Sequence, residues 1–156
     1  MITLHLRLFL SLFLVFVLTI IPLPALVMGF RPPWILLFVL YIQFFLPNYF
    51  NIALLFILGL CMDVLLSTVI GEHSFALLLT TWLAAGKARR FNFFSLFQQM
   101  MLVALYCLIY QLSILIIEAF LGYHNGIVIG AGAVVLSMFL WPWVRMLADS
   151  SLLIQK

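Results

Sequence analysis

Six apolar stretches follow one another along this chain, and no break between them is long enough to fold on its own. They cover about residues 8–27, 33–46, 52–70, 74–87, 96–121 and 127–147. The breaks are Arg31-Pro32-Pro33-Trp34, Pro47-Asn48-Tyr49-Phe50-Asn51, Gly71-Glu72-His73 and Gly122-Tyr123-His124-Asn125-Gly126. Whatever the chain does must therefore be done inside the apolar stretches or at their ends.

The solvent follows from the charges. Only 7% of the 156 residues are charged, against roughly 25% in a soluble domain. That is too few to clothe a water-facing surface. Soluble enzyme, nucleic-acid binder and disordered chain are set aside on this ground, and the expected architecture is an all-α polytopic membrane protein. A spanning helix needs about 20 apolar residues. Stretches two and four are short: fourteen residues of helix reach only about 21 Å of a hydrocarbon core about 30 Å thick. They are expected to cross a thinned region, to re-enter, or to be covered by their neighbours. The first stretch is read as a retained helix rather than a cleaved signal peptide, since no clean small-residue cleavage site follows it.

Lysine and arginine fix the expected orientation. With the N-terminus inside, Arg7, Lys87, Arg89, Arg90, Arg145 and Lys156 lie on the cytoplasmic side, and only Arg31 lies outside. This is the positive-inside bias, and six spans then leave both termini in the cytoplasm. The run Lys87-Ala88-Arg89-Arg90 reads as a topology signal with lipid headgroup contact, or as a docking patch for a cytoplasmic partner. Trp34 is an interfacial anchor.

Polar residues within the apolar stretches need an explanation, because a carboxylate at mid-bilayer costs about 2.5–3.5 kcal/mol on insertion scales. Asp63 falls near the middle of the third stretch. Gly59, Asp63 and Ser67 are spaced i, i+4, i+8 and are expected to share one helix face. Two readings stand: a proton, ion or ligand site, or a hydrogen-bond hub holding a neighbouring helix. Cys107, Gln111, Ile114 and Glu118 likewise share a face of the fifth stretch, and Glu118 is a candidate partner for Arg31. Small residues at Ala76, Thr80 and Ala84, and at Gly126 and Gly130, form seams suited to close helix packing, within the chain or with a partner. His5, His73 and His124 lie at ends or in loops. No zinc motif, P-loop or dinucleotide fingerprint is present, so no metal, cofactor or enzymatic activity is expected.

Several of these segments also resemble one family. Phe30-Arg31-Pro32-Pro33-Trp34 leads into a run ending Leu46-Pro47; then come Phe50-Asn51-Ile52, Gly59-Leu60-Cys61-Met62-Asp63-Val64-Leu65, Gly71-Glu72-His73-Ser74 and, later, Leu140-Trp141-Pro142-Trp143. In this order and spacing they resemble the rod shape-determining protein MreD family over about residues 20–150. The resemblance implies six transmembrane helices in the bacterial cytoplasmic membrane, no catalysis, and a place in the machinery that elongates the lateral wall. It implies binding to an MreC-like bitopic protein and, through it, links to MreB filaments, RodA and penicillin-binding protein 2. It also implies a fold similar to the substrate-binding subunits of energy-coupling-factor transporters. One departure is the turn Leu66-Ser67-Thr68-Val69-Ile70-Gly71, where relatives tend to carry an additional glycine near the Ser-Thr pair. Partner contacts are expected at Arg31, Trp34 and Asp63, at the small-residue seams, and at Lys87, Arg89 and Arg90. The competing reading is a small-molecule transport or substrate-binding subunit, with a cavity lined by Asp63, Gln111 and Glu118.

Overall fold

A computed structural model describes residues 2–20, 32–122 and 130–152. Among these there are six α-helices and no strand: α1 (Ile2–Ile20), α2 (Trp34–Phe45), α3 (Ile52–Leu66), α4 (Glu72–Phe91), α5 (Leu96–Phe120) and α6 (Gly130–Leu152). A short 3-10 turn, Pro47–Tyr49, joins α2 to α3. One helix, α5, is long and apolar enough to cross a membrane by length and composition. Shorter apolar helices lie at Leu6–Ile20, Trp34–Phe45, Ile52–Leu66 and Gly132–Leu147.

Two boundaries depart from the sequence expectation in a way that matters. The third helix stops at Leu66, not Ile70, because Ser67 turns into the left-handed region (φ 54°, ψ 37°) and its amide closes on the carbonyls of Asp63 and Val64. Asp63 therefore sits in the last turn of α3 rather than near the middle of a span. Ser67 is the cap of that helix and does not extend the Gly59–Asp63 face. The fourth helix is longer than expected and begins two residues earlier, at Glu72.

Short α2 is covered by its neighbours. Residues 35–41 are all buried, as an element that is apolar all round must be. It packs against α1, α4 and α6. The second pairing layer is α4 on α5 and α5 on α6, while α3 packs almost wholly on α4. Aromatic rings fill one end of this core. Phe44 stacks on Phe91 (centroids 3.8 Å apart), and Trp141 meets Phe91 edge-on at 5.7 Å. Such pairs add about 0.5–1.5 kcal/mol each beyond their buried area.

The α3–α4 hairpin depends on a glycine. At Gly59 an added Cβ would fall 2.6 Å from Ser74 Oγ and 2.7 Å from its amide nitrogen. The two helices therefore touch backbone to backbone, the small-residue contact that apolar surroundings favour. Gly59→Ala is expected to destabilise the fold by roughly 1–3 kcal/mol through overpacking. Gly86→Ala, where a Cβ meets nothing within 4 Å, should be neutral or stabilising by up to about 1 kcal/mol. Unfolding of both variants in detergent, measured beside the parent chain, checks the contrast.

Candidate functional site: the two capped ends of α4

Helix α4 needs help at its N-terminus. Its cap residue is Gly71 (φ 97°), which has no side chain to offer the first free amides. Unpaired amides at a helix end are costly where water is scarce. Asp63 supplies the acceptor from α3. Its Oδ2 accepts from the Gly71 amide at 2.7 Å, and its Oδ1 accepts from the His73 amide at 2.9 Å. The Oδ1 atom also lies 2.9 Å from His73 Nδ1 and 3.4 Å from Thr68 Oγ1, and Thr68 Oγ1 is 3.3 Å from the same imidazole nitrogen. The main chain closes the turn, with the Thr68 amide donating to the Asp63 carbonyl at 3.0 Å. The Asp63 side chain is thus purely an acceptor, held by donors from the turn and from α4, and it is 1% exposed.

His73 is part of this unit. It is buried, and its ring meets Tyr110 of α5 edge-on at 6.2 Å. His73 and Glu72 precede the apolar stretch of α4. A neutral imidazole facing a carboxylate through Nδ1 carries its proton there, so Nδ1–H donates to Asp63.

The opposite end of α4 is tied in the same way from α5. Gln99 is fully buried. Its Nε2 donates to the carbonyls of Phe91 (3.2 Å) and Phe94 (3.1 Å), and its Oε1 accepts from the Arg145 guanidinium of α6 at 2.8 Å. Arg145 also lies over the Phe45 ring of α2, 5.3 Å from its centre. The two ends stand about 27 Å apart for some eighteen residues of helix. Gln43 adds a tie between them, donating to the Thr81 carbonyl at 2.7 Å.

The family model for the rod shape-determining protein MreD matches residues 1–150. The chain belongs to the MreD family. It is 34% identical over 135 residues to the rod shape-determining protein MreD of Haemophilus influenzae, covering 85% of this chain and 82% of that one. No solved structure matches it. MreD membership makes the chain a rod-shape-determining protein.

The structure sorts the residues that the sequence singled out. Asp63 is turned inward, and both its oxygens accept hydrogen bonds from the turn and from α4, the hydrogen-bond hub of the two readings given above. Ala76, Thr80 and Ala84 are each 0% exposed. That seam is packed inside the chain's own bundle, the first of the two readings the sequence left open. Trp34 is half-buried at the start of α2, and Gly130 opens α6. Lys87, Arg89 and Arg90 are exposed near the end of α4. Arg31 and Gly126 lie outside the described residues, and with Arg31 lies the expected Glu118 pairing. The sequence reading missed His73, Thr68, Tyr110, Gln99 and Arg145, all of which act across helices.

Replacing Asp63 with Ala leaves the Gly71 and His73 amides without a partner. The expected loss is about 2–6 kcal/mol, from roughly 1–3 kcal/mol for each of the two buried groups left unsatisfied. Asp63→Asn keeps one acceptor oxygen and should lose less. Ser67→Gly should stabilise by about 1 kcal/mol, because a left-handed cap suits glycine. Thermal unfolding of the three variants orders them.

Proposed function

We propose that the chain is a non-enzymatic component of the wall-elongation machinery, spanning the bacterial inner membrane six times with both termini in the cytoplasm. The observation that carries the membrane part is the inverted distribution of polarity. The interior holds Asp63, Glu72, Gln99, Thr80 and Ser137, while Phe13, Ile57, Val64, Trp82, Phe97, Phe120 and Phe139 face outward. An apolar exterior of this extent demands lipid or a partner as its solvent. The short helices reach across by tilt of their neighbours and local thinning of the bilayer.

The partner is an MreC-like bitopic protein, and through it the chain is linked to MreB filaments, RodA and penicillin-binding protein 2. Its contribution is binding, because its polar residues are engaged in joining its own helices. Arg31 and Trp34 are the contacts assigned to the outer side, Gly126 and Gly130 those of the sixth apolar stretch, and Lys87, Arg89 and Arg90 those on the inner side. The family's similarity to substrate-binding subunits of energy-coupling-factor transporters belongs to this proposal as a matter of fold. A solute site built on Asp63, Gln111 and Glu118 is disfavoured, since both Asp63 oxygens already accept from Gly71 and His73.

Co-purification from membranes with an MreC-like protein is the expected result, together with rounding of cells depleted of the chain. Depleted cells that keep their rod shape, or a chain that purifies without that partner under conditions that preserve membrane complexes, would contradict the assignment.

A further inference from the structure

Helix α4 carries an exposed arc that changes character along its length. Trp82, Gly86 and Arg89 follow the spacing i, i+4, i+7, and so do Leu83, Lys87 and Arg90, so two adjacent rows run down one side of the helix. All six residues are exposed, Trp82 to 73%. Each row starts at an apolar side chain and ends at a guanidinium. Between Trp82 and Arg89 stands Gly86, where an added Cβ would meet nothing within 4 Å. The arc therefore has an open notch at its step from apolar to basic. Past the helix end Phe93, Leu96 and Phe97 are exposed too, so apolar side chains flank the cations on both sides.

The described residues give these cations no partner. Asp63 and Glu72 belong to the opposite end of α4, and Glu118 to the far end of α5. Among the described residues no acid comes within salt-bridge distance of Lys87, Arg89 or Arg90. Nor does the helix end need them as caps. The carbonyls of Arg90 and Phe91 accept from the amides of Phe93 and Phe94, and that of Phe91 also from Gln99. Cations at an apolar-to-basic step match an amphiphile with an anionic head. A water-soluble acidic protein would answer the charges but not the Trp82–Leu83 part of the arc.

We propose that this end of α4 is a binding site for an anionic phospholipid. The phosphate sits among Lys87, Arg89 and Arg90, the glycerol backbone lies over Gly86, and an acyl chain runs along Trp82 and Leu83. A zwitterionic lipid brings an ammonium as well as a phosphate, so the three cations select by net charge. The site rests on the inner-side placement proposed above, and it names lipid as what these basic residues hold there directly.

The full chain, alone in phosphatidylcholine nanodiscs, is photolabelled with a trace of diazirine-bearing phosphatidylglycerol or phosphatidylcholine, and the labelled residues are mapped by mass spectrometry. Labelling of residues 82–97 is expected to be about fivefold or more stronger with the phosphatidylglycerol probe, since one cation near the surface is worth about that factor. The exposed side of α5, at Leu105, Leu112 and Ile116, should be labelled equally by both. The preference should fall to near unity when Lys87→Gln, Arg89→Gln and Arg90→Gln are combined, and in concentrated salt. It should survive Arg7→Gln. Equal labelling of residues 82–97 by the two probes, with α5 labelled, would overturn the site and leave the membrane reading standing, whereas a chain labelled by neither probe would overturn both. A preference that survives loss of the three charges also overturns the site. If the triple variant does not enter nanodiscs, the salt dependence of the parent chain decides.

Discussion

The bonds from Asp63 to the first amides of α4 are what the rest of the bundle depends on. A helix starting at a glycine cap in apolar surroundings has free N–H groups and no local group to meet them. Asp63 meets two of them, at Gly71 and His73. In doing so it fixes where α3 ends, how the turn closes and how α4 points. The close approach of Gly59 to Ser74 is possible only with that alignment, and the burial of His73 against Tyr110 brings α5 into the same unit. Gln99 does the corresponding work at the other end and draws in α6 through Arg145. Helix α4 is thus held from both ends by side chains of other helices.

This economy of polar groups bears on function. A buried polar residue in apolar surroundings is either satisfied or chemically engaged. Asp63, Gln99 and Gln43 each bond to main-chain groups of other elements, the pattern of a frame rather than of a reactive centre. MreD family membership names the process such a frame serves, the determination of rod shape.

Much of the helix pattern was legible from apolar runs and their breaks. Pro33 and Trp34 mark the start of α2, and the apolar run from Leu96 marks that of α5. The end of α3 was not legible, because nothing in Leu66-Ser67-Thr68 is a helix breaker; a serine occupies a left-handed position where glycine is usual. The resemblance to relatives with an extra glycine there had marked this turn as the unusual one. The long-range caps were equally hidden. Asp63 stands ten residues before His73, and Gln99 and Arg145 are 46 residues apart, spacings that correspond to no local motif. Ala76, Thr80 and Ala84 were legible as a packing seam, but which partner they packed against required the helix order.

Native-state hydrogen exchange of individual α4 amides in lipid tests the account's centre most directly. If Asp63 caps α4 from α3, the Gly71 and His73 amides exchange as slowly as those in the interior of the helix. Exchange at the rates of an open turn, with the interior of α4 still protected, would show that α4 is held by packing alone and would contradict the account.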